Sequence, residues 1–169
     1  MKVAVTGASG LIGSALCTNL TTEGHAVLRL VRRAPETDGE IQWNPTTGDV
    51  DLAALQGVDA IVHLAGAGVG DHRWTDAYKK EIRDSRVLGT TAIATAAASL
   101  DPKPQVLVCG SAIGYYGDRG DEILTETSAK GTGFLADVVA DWEAAADPAR
   151  HANIRVVNAR TGLVVSQDG

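Results

Sequence analysis

The stretch KVAVTGASGLIG, residues 2–13, constrains this chain more than any other. Residues 3–6 are small or β-branched, and 2–6 read as a buried strand. Glycine then recurs at positions 7, 10 and 13, and LIGSALCTNLTTEG, residues 11–24, reads as a helix stopped by Gly24. A glycine repeat alone says little; between a strand and a helix it says much more. Gly7 permits a tight turn, Gly10 lets backbone N–H groups approach a pyrophosphate, and Gly13 lets the helix pack close to the strand. The helix N-terminus adds its partial positive charge. Gly7, Ser9, Gly10, Leu11, Ile12 and Gly13 are therefore the candidate phosphate cradle.

The remaining chain continues the alternation. AVLRLV (26–31), EIQW (40–43), AIVHLAG (60–66), QVLVCGS (105–111) and IRVVNAR (154–160) read as strands, and residues 75–99 and 133–147 as helices. Strands spaced by helices imply right-handed crossovers and a doubly wound parallel sheet, an α/β Rossmann-like NAD(P)-binding domain. Residues 34–50 are the most turn-rich part and are expected on the surface. The 169 residues suffice for one domain, expected to span 1–169.

Charge narrows the partners. The net charge is −6 and the basic residues are scattered, which argues against nucleic acid or an anionic membrane surface. No run approaches the ~18 apolar residues of a membrane span, and the strand-like N-terminus does not read as a signal peptide. A cytoplasmic protein is expected, with Cys17 and Cys109 as reduced, buried thiols. No His, Cys, Asp or Glu residues show metal-ligand spacing.

The second strand bears on the choice of dinucleotide. An NAD site usually ends this strand on an acidic residue that binds the ribose 2′-OH. Here the position is Val31, followed by Arg32 and Arg33. With no carboxylate in place, two guanidiniums can meet a 2′-phosphate, and a ~10- to 100-fold preference for NADP over NAD is expected.

These residues resemble the extended short-chain dehydrogenase/reductase superfamily, through TGASGLIG, HLAG and GYYGD. The match tightens with QWNP…GDVDLAALQGVDAIVHLAGAGV, RWTDAYKKEIRDSRVLGTT, GSAIGYYGDRGDE, FLADVVADWEAAA and RTGLVV. Together they are similar to an atypical branch described as epimerase-family or sugar-nucleotide-epimerase-like, along essentially the whole chain. The resemblance implies that Leu64, Ala65 and Gly66 also face the cofactor. It further implies a C-terminal substrate lobe beyond the RTGLVV segment, so these 169 residues are expected to be the cofactor-binding portion. Extended members often pair through the helices corresponding to 75–99 and 133–147, so a homodimer is expected, anchored by Trp74, Tyr78, Phe134, Leu135 and Trp142.

The superfamily's Asn, Ser/Thr, Tyr and Lys do not carry over. Those positions fall on Arg86, Ala112 (with Ser111 one step earlier), Phe134 and Val138. Phe134 has no titratable proton and Val138 cannot support one. The residues 131–145 read instead as a packing helix, with Phe134, Val138 and Trp142 recurring every four residues beside Leu135 and Val139. Tyr116 and Ser111, just beyond or at the end of the fifth strand, are the candidate catalytic residues. Arg86 joins them on a stripe with Tyr78, Ile82, Gly89 and Ile93, with Lys79 at its rim, facing the cofactor cleft. The alternative for Arg86 is an ion pair with Asp84 or Asp141; Glu143 is expected to be structural, and His63 and His72 to be satisfied packing. Two functions stay open. One is an NADP-dependent oxidoreductase or epimerase acting on a small polar metabolite, such as a nucleotide sugar. The other is a non-catalytic NADP(H)-binding regulator or sensor, a division regulator included.

Overall fold

A computed structural model describes residues 1–166. Six strands, β1 (Lys2–Thr6), β2 (Ala26–Val31), β3 (Glu40–Gln42), β4 (Ala60–His63), β5 (Val106–Ala112) and β6 (Arg155–Thr161), form one sheet in the order β3-β2-β1-β4-β5-β6. Every strand pair is parallel. The chain winds from β1 to one edge, then restarts at β4 on the other side of β1. That reversal opens a crevice at the carboxyl ends of β1 and β4, where open α/β sheets hold ligands.

The helices are α1 (Leu11–Thr22), α2 (Leu52–Leu55), α3 (Asp76–Ser99), α4 (Phe134–Ala144) and α5 (Asp147–His151). Cys17 of α1 packs on Val3, Val5 and Ala60 on one face of the sheet. Ile93, Ala94 and Ala97 of α3 and Ala149 of α5 cover the other face, against Ile61, Leu107 and Cys109. Both cysteines are buried free thiols, and burial pushes the Cys109 thiol up to about 12.

Most departures from the sequence expectation have a local cause. Helix α1 stops two residues early because Gly24, at φ 80°, and His25 return their N–H groups to Thr21 and Leu20, a Schellman stop. The helix expected over 133–147 breaks in two, since Pro148 cannot continue α4 but can open α5. Within 34–50, Ile41 and Trp43 are core residues rather than surface ones, because β3 joins the sheet edge there. The short helix α2 and a 3₁₀ turn over Ile113–Tyr116 carry too few residues for a periodic signal.

β4 ends at His63 rather than Gly66 because the Thr6 side chain takes up the next two amides, the Leu64 N–H being shared with the Thr6 carbonyl at 3.3 Å. The N–H groups of Leu64 and Ala65 both donate to Thr6 Oγ1, at 3.1 and 3.2 Å. That oxygen's own proton then goes to Nδ1 of His63, 2.7 Å away. The imidazole is therefore held as the Nε2–H form, and Nε2 is buried without a partner, so this histidine is only half satisfied. Burial depresses its pKa from 6.5 to about 4. Above about pH 6.5 the ring is neutral in both folded and unfolded chains, and its contribution to stability is whole. As pH falls from 6.5 to 4 only the unfolded chain takes up the proton, so stability is lost through that window, by roughly 3 kcal/mol in all. Urea unfolding across pH 4–7 should show this slope in the wild type and a flatter one in His63→Gln.

Candidate functional site

The β1–α1 turn is built by glycine where nothing else fits. Gly7 sits at φ 67°, and a Cβ there would lie 2.8 Å from the Leu64 carbonyl carbon. A Cβ on Gly13 would overlap the Gly7 carbonyl. Gly10 differs, since a Cβ there would meet only Gly7 O, at 3.4 Å. Gly10 is also the N-cap of α1 and offers no side chain to it. The amides of Leu11, Ile12 and Gly13 open the helix without a side-chain cap or an acidic residue in the first turn. A cradle kept clear of side chains at an uncapped helix N-terminus fits a bound phosphate.

The crevice has a volume of about 960 Å³. Gly7, Ser9 and Gly10 line one wall, Leu64, Ala65 and Gly66 the other, and Arg32, Arg33 and Glu40 its outer end. Here the two arginines part company. Arg33 forms a bidentate pair with Glu40, at 2.9 and 2.7 Å, and a further bond to the Ala34 carbonyl. Arg33 and the Glu36 N–H hold the Glu40 carboxyl at about 2, well below the usual range. A carboxylate does stand at this end of the site, then, supplied by β3 rather than β2, and it occupies Arg33. Arg32 makes no side-chain hydrogen bond or ion pair among the described residues and lines both this crevice and the small hollow beside it.

Opposite the crevice, α3 meets α4. Tyr78, Ile82 and Val138 bury one another, with Phe134 against them, and Trp142 donates from Nε1 to Thr90 Oγ1 at 2.9 Å. The stretch 134–142 is thus the packing surface its periodicity implies, save that Leu135 is 36% exposed. Of the five expected dimer anchors, Tyr78 and Trp142 are buried within the fold and Phe134 is packed against them. Trp74 and Leu135 stay exposed.

Arg86 is half-buried and pairs with neither Asp84 nor Asp141; Arg83 takes Asp141 instead, at 2.9 Å. Arg86 Nη1 donates to the carbonyls of Ala67 and Ile82, at 2.9 and 3.0 Å, and its guanidinium lies 5.1 Å from the Trp142 ring centre. A Cβ on Gly66 would lie 3.5 Å from Arg86 Cγ, so this side chain braces the Gly66–Ala67 wall from behind rather than lining the crevice. Burial lowers its pKa, against a small opposing effect of Tyr78. His72 stands in the crevice with its ring edge-on to Tyr78, at 5.0 Å.

Ser111 and Tyr116 are brought together, but by two residues the sequence did not single out for chemistry. Ser111 Oγ donates to Glu143 Oε1 at 2.5 Å. Arg160 grips that carboxylate through Nε and Nη2, at 2.8 and 2.9 Å, and donates through Nη1 to the Tyr116 oxygen at 2.9 Å. Its guanidinium also stacks on Tyr115, 3.7 Å from the ring centre. Burial works to raise the Glu143 pKa, but the hydrogen bonds from Arg160 and Ser111 and the charges of Arg160 and Arg150 outweigh it, and the carboxyl titrates below its ordinary range. The Glu143 bond, then Tyr116, raise the Arg160 pKa. Two consequences follow. The Ser111 proton is committed to Glu143, so this serine is an acceptor and not a donor. The Tyr116 oxygen already accepts from Arg160, while its own proton is given to no group among the described residues. Arg160 lies beside Ser111 in the β5–β6 register, and nothing in the strand's own sequence, which also carries Arg155 and Asn158, marks it out.

Comparison with known proteins agrees with this picture. The model of the NAD dependent epimerase/dehydratase family matches residues 3–168. An epimerase family protein of Mycobacterium bovis is 47% identical over 167 residues, 99% of this chain and 55% of that protein. A nucleoside-diphosphate sugar epimerase from Corynebacterium glutamicum superposes with a TM-score of 0.87 at 44% identity, over 100% of this chain and 35% of that one. Human epimerase family protein SDR39U1, solved with NADPH, gives a TM-score of 0.86 at 32% identity, over 100% of this chain and 56% of its own. The chain spans about half the length of the curated relatives it matches. Among the described residues no helix is long and apolar enough to cross a membrane.

Proposed function

The chain belongs to the NAD dependent epimerase/dehydratase family, and from that premise we propose that it binds NADP in the crevice between β1 and β4 and serves an oxidoreductase or epimerase reaction on a small polar metabolite of the nucleotide-sugar kind. The observation that carries this reading is the pairing of an uncapped α1 N-terminus with the unpaired Arg32 guanidinium on the same crevice. Gly7, Ser9 and Gly10 with the amides of Leu11, Ile12 and Gly13 would hold the pyrophosphate. Arg32 would meet the 2′-phosphate, and Leu64, Ala65 and Gly66 would form the opposite wall. The bound cofactor would supply hydride exchange. NADPH accompanies the human relative, which supports the phosphorylated form.

The chain's own part is proton management. Tyr116 is the proposed acid, its oxygen fixed by Arg160 and its proton free to donate. Arg160 supplies beside the phenol the positive charge that Val138 cannot, and Ser111 and Glu143 hold Arg160 in place. A second reading has its own support: Phe134 and Val138 leave an apolar surface where a tyrosine and lysine would act, which suits an NADP(H)-binding regulator without turnover.

The test is a titration with NADPH and NADH followed by fluorescence. NADPH is expected to bind tighter, by about 10- to 100-fold. Arg32→Ala should remove that preference, and Arg33→Ala should leave most of it, because Arg33 is already engaged by Glu40. Equal affinities in the wild type would refute the assignment. Incubation of the bound NADPH with carbonyl compounds separates the two readings, since a regulator leaves it unoxidised.

A further inference from the structure

Helix α3 carries four cations with two different fates. Lys80 pairs with Asp84, and Arg83 with Asp141. Lys79 and Arg86 form no ion pair among the described residues, although the sequence has 21 acidic residues against 15 basic ones. Each lies instead over an aromatic ring of α4. Lys79 Nζ is 5.8 Å from the centre of Phe134, and Arg86 Cζ is 5.1 Å from that of Trp142. Seven residues apart, the two cations are two turns along one side of the helix.

Arg86 is incompletely used. Nη1 serves two carbonyls, which leaves Nε and Nη2 with no partner among the described residues. Nor is either fully buried, for among the described residues the fully buried side-chain atoms without a partner are His63 Nε2 and Asn158 Oδ1. The guanidinium that carries Nε and Nη2 sits between the Gly66–Ala67 segment and the Trp142 ring of α4. A half-buried cation without a counter-charge is costly unless an anion completes it. The planar guanidinium, stacked on Trp142 and pinned at one nitrogen, presents its remaining donors in a fixed direction, the arrangement that suits a phosphate or carboxylate.

We propose that Arg86, with Lys79 at its rim, is the subsite for an anionic group of the substrate, a phosphate or a carboxylate. The inference rests on the dinucleotide reading in one respect. That reading assigns the α1 cradle to the cofactor and so leaves the α3 cations for the substrate.

The experiment is calorimetric titration of inorganic phosphate into the chain already saturated with NADP⁺, so that the cofactor's own phosphate sites are filled. Wild type should bind phosphate. Arg86→Met should bind it about tenfold more weakly or worse, Arg86→Lys should fall between, and Lys79→Met should show a smaller loss. Thermal melting reports whether each variant is folded; if Arg86→Met is not, Arg86→Lys and Lys79→Met decide alone. Wild-type phosphate affinity in the folded variants overturns the subsite. So does loss of phosphate binding on saturation with NADP⁺, which would place the anion in the cofactor's site. If NADP⁺ itself fails to bind, the dinucleotide reading falls, and the same variants titrated without it still show whether phosphate depends on Arg86.

Discussion

Gly10→Val is expected to abolish dinucleotide binding and leave the fold standing. A Cβ at this position meets only one atom, the Gly7 carbonyl oxygen at 3.4 Å, and otherwise projects into the crevice. The space it fills is the approach to the amides of Leu11, Ile12 and Gly13. Losing two charge-assisted contacts there should weaken NADPH by about 100-fold or more. Circular dichroism and the melting temperature should stay close to wild type. Gly13→Ala provides the opposite result. Its Cβ would overlap the backbone of Gly7, so either α1 or the turn must move, at a cost of roughly 1–3 kcal/mol or more. Two glycines three residues apart thus separate a ligand requirement from a packing requirement. If Gly10→Val bound NADPH as tightly as wild type, the glycine turn would be a turn and nothing more.

The second large effect is expected at Arg160. The ion pair it forms with Glu143 keeps less than a fifth of either side chain in contact with water. Arg160→Met leaves the Glu143 carboxylate half-buried, with Ser111 as its hydrogen-bond donor and the weaker influence of the Arg150 charge, and removes the donor to Tyr116. Breaking a buried pair from one side costs 3–5 kcal/mol in general; with residual hydration, roughly 2–4 is expected here. Urea unfolding measures it. Tyr116→Phe should behave differently, since the ring and its stacking on Tyr115 and Arg160 survive. Stability should change by about 1 kcal/mol. Turnover, measured in a longer relative bearing the same four residues, should fall by ~10²- to 10⁴-fold, the usual cost of losing a general acid. A Tyr116→Phe variant with undiminished turnover would move the acid elsewhere.

What could be read in the sequence was what neighbours a few residues apart decide. The glycine spacing after residues 2–6 required a strand, a tight turn and a helix, and the alternation that followed required a parallel sheet. The four-residue recurrence of Phe134, Val138 and Trp142 marked a packing helix, since a helical face is fixed by spacing alone. A helix end was legible where a glycine stops the chain, as at Gly24, whereas the end of strand β4, where the Thr6 hydroxyl takes up the amides of Leu64 and Ala65, was not. The fates of the charged residues belonged to the tertiary structure. Arg32 and Arg33 look alike in sequence, yet the β2–β3 alignment hands Glu40 to one and leaves the other unpaired. Ser111 and Arg160 become neighbours only through the β5–β6 register, and α4 must then lay Glu143 between them. Arg86 was legible as a cation on an apolar stripe, but not that the carboxylates nearby would go to Lys80 and Arg83. Periodicity is a local property of the backbone, whereas an ion pair needs two side chains within about 4 Å, and that distance is set by how separate strands and helices come to lie against one another.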